Sequence, residues 1–448
     1  MKRIARWQAS GAEVSVAGLG RSGLAAARLL TDAGLTVYAS DASPTATGGE
    51  PLHGLTVEVG AHDLDRIARS AALIVSPGIP PDAAVVTSAR AAGVEVVAEA
   101  QLGLDFLGGI PQIMVTGTNG KTTTTALLDH VMQAAGRDSA AAGNIGTPLT
   151  AVALRDVKPT WLAVELSSFQ LHDMPDVRPT VGILTNLAPD HLDRYASLDA
   201  YYDDKALFFA NATSSSIWVS NLDNPASRAM VAAVPGRHLT FTVADGVRAD
   251  GWFDRTAGQL MLAGRPLMAR EDLSLLGDHN VANALAAALA LHVTALSHED
   301  IADALRTFAA LHHRMEPVRE VDGVLWINDS KATNVASTSV ALEAMTRPYV
   351  VMLGGRHKGE PYTALAAALR AHAHAVVAYG EAAAIVAADL DGMVMVLRGA
   401  SFDEAMALAR ANVPSGGAVL LSPACSSYDQ FNNFEERGAR FRAIVEAW

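Results

Sequence analysis

The chain has 448 residues, half of them apolar and 18% charged, and 34 basic against 47 acidic side chains give it a formal charge of -13. That length exceeds one ordinary domain, the apolar share is ample for buried cores, and the acidic balance disfavours nucleic acid or an anionic membrane surface as a partner. A single cysteine, Cys425, excludes an internal disulfide. The opening MKRIARWQASG lacks the apolar core of a secretory leader and no apolar run is long enough to span a bilayer, so a cytoplasmic protein is expected.

The first block runs to about Gly103 and holds four strand-like runs, EVSVAGLG, LTVYASD, ALIVSPGIP and VEVVAEA, with helical patterns between them. In VAGLGRSGLAAARLL, Gly18, Gly20 and Gly23 have the G-x-G-x-x-G spacing between a strand and a helix. Such a turn offers a helix N-terminus to a phosphate. By itself it fits a nicotinamide cofactor, another nucleotide-bearing ligand, or a packing turn with no ligand. Asp41, at the end of the next run, suits either a ribose contact or a strand-end cap.

A second block begins at IPQIMVTGTNGKTTTT. Its glycine turn follows a strand and opens a helix, so backbone N–H groups and the positive helix end converge. Lys121 can reach terminal phosphates, and the Thr122 hydroxyl can hold Mg²⁺. Val115 stands where the common phosphate loop has a glycine, which marks a shorter variant found in a subset of ATP-using enzymes. Glu165 ends the strand-like WLAVE, and TNLAPDHLDRY sets Asp190, His191 and Asp193 past the end of TVGILTNL. Mg²⁺ takes oxygen ligands, so Glu165 and Asp190 are the candidates on chemistry alone. His191 beside a turn reads as structural, and Lys205 in YYDDKALFF as a solvated helix lysine. Further on, Val281, Leu285, Leu289, Val293 and Leu296 form one helical stripe, and AALHHRMEPVRE near 309–320 has the composition of a linker.

The strand–helix alternation then restarts with VLWINDSKATN, YVVMLGGRHKG, AVVAYGE, MVMVLRG and AVLLSPACSS. The expected fold is α/β in three domains: a Rossmann-like domain over 1–103, a central P-loop ATPase-like parallel-sheet domain over 104–310, and a Rossmann-like domain over 311–448.

Taken together, GTNGKTTTT, ELSSFQL, TNLAPDHLDRY, the following Lys205, GDHNVANALAA and HRME resemble the Mur ligases, ATP-dependent amide-forming enzymes of peptidoglycan synthesis. In the third domain NDSKATN, LGGRHKG and SPACSSYDQFNNFEERG resemble the branch of that family that adds D-glutamate. The resemblance covers essentially the whole chain, with its motifs in family order. It implies a first domain that grips the UDP end of a UDP-N-acetylmuramoyl-L-alanine substrate through Gly20, Arg21, Ser22, Asp41 and Ser43, with Asn144 touching the muramoyl part. It implies ATP held by Gly117, Thr118, Asn119, Gly120, Lys121, Thr122 and Thr123, with Asn283, Arg314 and Asp329 near adenosine or its phosphates and Lys331 near the terminal phosphate. It also implies that Lys205 is carbamylated, so that His191 and the carbamate hold one Mg²⁺ while Thr122 and Glu165 help hold another. Lys121, Glu165, His191, Lys205 and Lys331 then form the catalytic set. Thr333, Lys358, Ser427 and the backbone at Phe434 would receive the D-glutamate carboxylates. A monomer acting on small molecules is expected.

Rival readings are a sister ligase adding another amino acid, a folate polyglutamate ligase, a nicotinamide oxidoreductase built on GLGRSG, and a nucleotide-dependent switch. The oxidoreductase leaves GTNGKTT and the acidic cluster unexplained, and the third-domain motifs argue against the other ligases.

Overall fold

A computed structural model describes residues 2–46, 53–190 and 194–448. The chain falls into two compact units, Met1–Arg270 with Ala282–Arg306, and Glu271–Val281 with Thr307–Trp448. Three sheets organise them.

In the first unit, strands β1 (Val14–Ala17), β2 (Val37–Asp41), β3 (Leu55–Val59), β4 (Ala72–Val75) and β5 (Glu95–Ala98) form a parallel sheet in the order β3-β2-β1-β4-β5. β1 and β4 are buried along their whole length, as strands covered by helices on both faces must be. Chain order reverses between β1 and β4, which is where an open α/β sheet presents its crevice. The glycine turn leads from β1 into the helix Arg21–Asp32 at that point. Edge strand β3 is largely exposed, and its weak apolar character hides it in the sequence.

The second sheet has nine strands: β6 (Gln112–Thr116), β7 (Ser139–Gly143), β8 (Trp161–Glu165), β9 (Val181–Leu184), β10 (Ile217–Asn221), β11 (Arg237–Thr242), β12 (Gly251–Asp254), β13 (Gln259–Leu262) and β14 (Arg265–Ala269). Their order is β14-β13-β12-β11-β10-β9-β6-β8-β7, parallel from β7 to β12 and antiparallel for the last two pairings. β6 lies between β8 and β9, and its register sets Val115 opposite Glu165 and Thr116 opposite Leu184. The phosphate loop therefore leaves the sheet beside the strand ends that carry Glu165 and Thr185–Asp190.

The first two sheets are stapled together. Arg3, on the first helix Lys2–Ser10, bonds Glu95 at 3.0 Å, Asp176 at 2.7 Å and also Asp105. Arg90 pairs with Asp173 at 2.7 Å. Glu99 Oε1 accepts both the backbone N–H (2.8 Å) and the hydroxyl (2.5 Å) of Thr150.

In the second unit, β15 (Glu316–Val321), β16 (Val324–Asn328), β17 (Tyr349–Gly354), β18 (Ala373–Tyr379), β19 (Val396–Gly399) and β20 (Ala418–Leu421) are ordered β15-β16-β20-β17-β18-β19. Only β15 runs antiparallel.

Two expectations need correction. The segment read as a linker near 309–320 contains β15, an edge strand whose charged residues and Pro317 disguise it; edges tolerate proline because one row of N–H groups is unpaired. The apolar stripe to Leu296 overshoots, since the helix Asp278–Val293 stops before Ala295, where the backbone turns left-handed (φ 66°). That helix is buried on every side from Val281 to Leu291, which makes a stripe a poor description of it. Among the described residues, no helix is long and apolar enough to cross a membrane.

Candidate active site

The forward glycine turn is built by close approach. Gly18 has φ 89°, and a Cβ on Gly23 would overlap the Gly18 carbonyl oxygen. Asp41 braces the turn: its Oδ2 accepts the Leu19 N–H at 2.7 Å and its Oδ1 the Ser43 N–H at 2.8 Å. Ser76 closes the other side by donating its hydroxyl to the Gly18 carbonyl at 3.1 Å. These elements wall a cavity of about 680 Å³. Gly20, Arg21, Ser22 and Asp41, which the resemblance assigns to the UDP end, line it; Ser43 does not, and donates its N–H to Asp41 instead. His62, Ser76, Pro77 and Ile79 also line it and were missed, because they arrive from the ends of β3 and β4 and share no motif. His62 is held by a 2.8 Å bond between Nδ1 and the Ser40 hydroxyl, and burial lowers its pKa below the ordinary histidine range.

The second glycine turn is braced from three directions. Gly117 (φ 143°) has no room for a side chain beside the Thr185 hydroxyl, nor Gly120 (φ 82°) beside the Asn283 amide oxygen. Asn186 accepts the Thr118 N–H through its carbonyl (2.8 Å) and the Asn119 N–H through its side chain (2.9 Å). The Thr118 hydroxyl meets the Tyr201 hydroxyl at 3.1 Å, and Lys121 Nζ donates to the Thr118 carbonyl at 2.7 Å. The helix Lys121–Ala134 then starts with no side-chain cap. An uncapped helix start after a left-handed glycine suits a phosphate. Asn283, expected near adenosine or its phosphates, sits against this loop, its Oδ1 3.4 Å from the Thr124 hydroxyl.

Glu165 ends β8 and is 2% exposed. Its Oε1 accepts from the Asn144 amide at 3.1 Å, and the Asn144 N–H donates to the Glu165 carbonyl at 2.9 Å. Its Oε2 is buried with no hydrogen-bond partner among the described residues. Leaving a buried carboxylate oxygen unmatched costs about 1–3 kcal/mol or more, and a cation would remove that cost. Asn144, assigned to the muramoyl substrate by resemblance, thus lies beside Glu165 and outside the forward cavity.

Lys205 corrects the plain reading of its sequence. It lies in the helix Leu198–Ala206 and is only 1% exposed, so it is no solvated lysine. Burial first, and the Lys121 charge second, push its amine well below the ordinary lysine range, while Asp190, Glu165 and Asp204 act in the opposite sense. An amine so placed is held toward its neutral form. Its Nζ lies 5.1 Å from the centre of the Tyr201 ring. His191, the other expected metal ligand, lies outside the described residues. Thr122 stands second in the helix after the loop.

In the second unit, buried Asp329 accepts the Met315 N–H at 3.1 Å and the Ser422 hydroxyl at 2.8 Å, and burial raises its pKa to about 7. Lys331 lies 4.4 Å from the Phe434 ring centre. Lys358 Nζ reaches the Thr333 hydroxyl at 3.4 Å, so two of the expected carboxylate-binding residues meet. Ser427 is buried, and Phe434 opens the helix Phe434–Glu446 while its carbonyl accepts from Ser330. Arg437, overlooked in the sequence, is fully buried there. It donates to the carbonyls of Ser330 (2.8 Å) and Cys425 (3.2 Å) and to the Ser330 hydroxyl (3.0 Å), tying the 328–334 loop to the 422–427 loop.

Comparison with known proteins identifies the family. The chain matches the families described as the Mur ligase MurD-like N-terminal domain over 12–98, the Mur ligase middle domain over 115–291 and the Mur ligase glutamate ligase domain over 313–425. It is 36% identical over 447 residues to the UDP-N-acetylmuramoylalanine–D-glutamate ligase of Acidobacterium capsulatum, covering 98% of this chain and 96% of that one. It is 38% identical over 451 residues to the ligase of the same name from Pelotomaculum thermopropionicum, covering 97% of each. In fold it is similar to the MurF ligase of Thermotoga maritima, solved in complex with ADP, with a TM-score of 0.62 at 15% identity over 97% of this chain and 95% of that one.

Proposed function

We propose that this chain, which belongs to the Mur ligase family, joins D-glutamate to UDP-N-acetylmuramoyl-L-alanine in an ATP-dependent amide-forming step of peptidoglycan synthesis. The observation that carries the reading is the buried Oε2 of Glu165, unmatched among the described residues, beside the loop that starts at Val115, with buried Lys205 within electrostatic reach of both Glu165 and Lys121.

A carboxylate does not accept an amine until an oxygen is made a leaving group. The L-alanyl carboxylate attacks the γ-phosphorus of ATP, forming an acyl phosphate and releasing ADP. The D-glutamate amine then adds to the acyl carbon, and the tetrahedral adduct expels phosphate as the amide forms. All three reactants are anionic, so positive charge and orientation supply most of the catalysis. The turn Gly117–Thr123 and Lys121 cradle the triphosphate, with Asn283, Arg314 and Asp329 serving adenosine or its phosphates and Lys331 the terminal phosphate. Holding reactants in line is worth up to about 7–11 kcal/mol of barrier.

The donor set fits Mg²⁺: Glu165, Thr122, His191 and a carbamate on Lys205 supply oxygens and one imidazole, and the ion would neutralise phosphate charge. Only an unprotonated amine adds CO₂, and Lys205 is buried in a way that favours that form. In the first sheet the cavity at Gly20, Arg21, Ser22 and Asp41 receives the UDP end, with Ser43 bracing Asp41 and Asn144 near the muramoyl group. Thr333, Lys358, Ser427 and the Phe434 backbone take the two carboxylates of D-glutamate. Small molecules are the only partners this chemistry needs, so a cytoplasmic monomer suffices.

The test is ADP release with UDP-N-acetylmuramoyl-L-alanine, comparing D-glutamate with L-glutamate, L-lysine and diaminopimelate. Release only with D-glutamate is expected. Release with another of these amino acids instead, or equal release with none, would overturn the reading.

A further inference from the structure

The helix that carries Lys205 is clamped on two faces, and one clamp has no part in the chemistry just described. Tyr201 lies one turn before Lys205 and on its side of the helix, and its hydroxyl reaches Thr118 of the phosphate loop at 3.1 Å. Asp204, next in the chain to Lys205, projects about 100° away around the axis. Both of its carboxylate oxygens are engaged. His172 Nδ1–H donates to Oδ1 at 2.7 Å, and the Tyr195 hydroxyl donates to Oδ2 at 2.9 Å. The Tyr195 ring stacks on Phe169, centroids 5.3 Å apart and planes within 9°. Phe169 and His172 both belong to the short helix Ser168–His172, which starts three residues after Glu165.

Lys205 and Glu165 are thus joined by a short route. Glu165 leads through Leu166 and Ser167 to His172, His172 binds Asp204, and Asp204 adjoins Lys205. Apolar packing at position 204 would hold the helix at a distance and leave its rotation loosely set. Two directional bonds to one carboxylate fix the rotation, and with it the direction in which Lys205 points.

From this we infer that His172 is a positioning residue: through Asp204 it sets the direction of the Lys205 side chain, and so how tightly the carbamate holds the Mg²⁺ assigned to it. The inference rests on the proposed carbamate and metal role of Lys205. His172 touches no reacting atom in this account.

The experiment compares His172→Leu, His172→Asn and Asp204→Ala with the unaltered full-length chain. Asn at 172 places an amide N–H close to the position of Nδ1, whereas Leu keeps bulk and loses the donor. Three quantities are read: the Mg²⁺ concentration for half-maximal rate, kcat against the KM values for ATP and UDP-N-acetylmuramoyl-L-alanine, and the carbamate signal in ¹³C NMR after equilibration with ¹³C-bicarbonate. Expected for His172→Leu are a tenfold or greater rise in the Mg²⁺ requirement, a tenfold or greater fall in kcat, and KM values within about twofold. Asn should restore most of the loss. A purely structural role would lower thermal stability and leave the Mg²⁺ requirement unchanged well below the melting temperature, and that result in folded His172→Leu overturns the inference. If Leu at 172 prevents folding, Asp204→Ala, which removes both acceptors, carries the same test, with an unchanged Mg²⁺ requirement again overturning it. Absence of a carbamate signal from the unaltered chain would instead refute the Lys205 reading, and the inference would fall with it.

Discussion

Gly23 packs directly against Gly18, so closely that a β-carbon at position 23 would occupy the space of the Gly18 carbonyl oxygen. The obstruction is backbone, which cannot swing aside as a flexible side chain would. Gly23→Ala should therefore push the helix Arg21–Asp32 away from β1 and distort the cavity before it. We expect a stability loss of about 1–3 kcal/mol and at least a tenfold weaker affinity for the UDP substrate, with ATP affinity little changed. Calorimetric titration with each nucleotide checks this, and unchanged UDP-substrate affinity would show that the turn serves packing alone.

Lys205 offers a test that separates chemistry from packing. Lys205→Met fills a similar volume in a fully buried site without an amine, so thermal stability should be kept or slightly raised. Turnover should fall at least a hundredfold, and depletion of bicarbonate should slow the unaltered enzyme while leaving the variant where it is. Full activity in bicarbonate-free buffer together with full activity of the variant would refute the assignment.

Cys425 is buried, its thiol pushed up to about 11 chiefly by burial, and it lies 2.8 Å from the Tyr362 hydroxyl. A thiol held protonated is a poor nucleophile, and the proposed reaction needs none. Cys425→Ala should cost about 1 kcal/mol through the lost sulfur contact and retain more than half of kcat. Complete loss of turnover in a folded variant, seen by steady-state assay, would contradict this.

Asp329 gives the second unit a pH dependence of definite sign. Its folded pKa is about 7, above the ordinary aspartate value of about 3.9 in the unfolded chain. Between those values the unfolded form releases a proton that the folded form keeps, so stability falls as pH rises from about 4 to 7 and levels off above. The total fall is on the order of 4 kcal/mol at most. Thermal melts between pH 5 and pH 8 should show it, and Asp329→Asn should flatten the slope because an amide can still accept from Met315 and donate to Ser422. An unchanged slope in the variant would assign the effect to other groups.

Much of the architecture is legible because central parallel strands are largely buried on both faces and read as apolar runs: β1, β2 and β4 in the first sheet, β16, β17, β18 and β20 in the third. What stays hidden is at the edges. β3 and β15 carry charges or proline that only an exposed strand tolerates, and β12 to β14 run antiparallel after a long parallel series. The glycine turns were legible as tight strand-to-helix turns, since their spacing is local. The burial of Lys205 was not legible, because Asp203 and Asp204 give the helix a solvated look while Tyr201, Asp204 and Lys205 itself are buried. His62, Ser76 and Ile79 meet only once separate strand ends converge. Arg437 likewise shows its purpose only when two loops close on it.

The triple grip of Arg3 bears on how such proteins can be recombined. Its partners are Glu95 and Asp105 in the first sheet's stretch of chain and Asp176 in the second's, so the opening ten residues answer to both. A chimera spliced near residue 103 would inherit an arginine facing a foreign surface, whereas a splice just after Arg306 would leave that grip whole. Exchange of genetic segments among relatives should therefore preserve folding best when the first two sheets are inherited as one block.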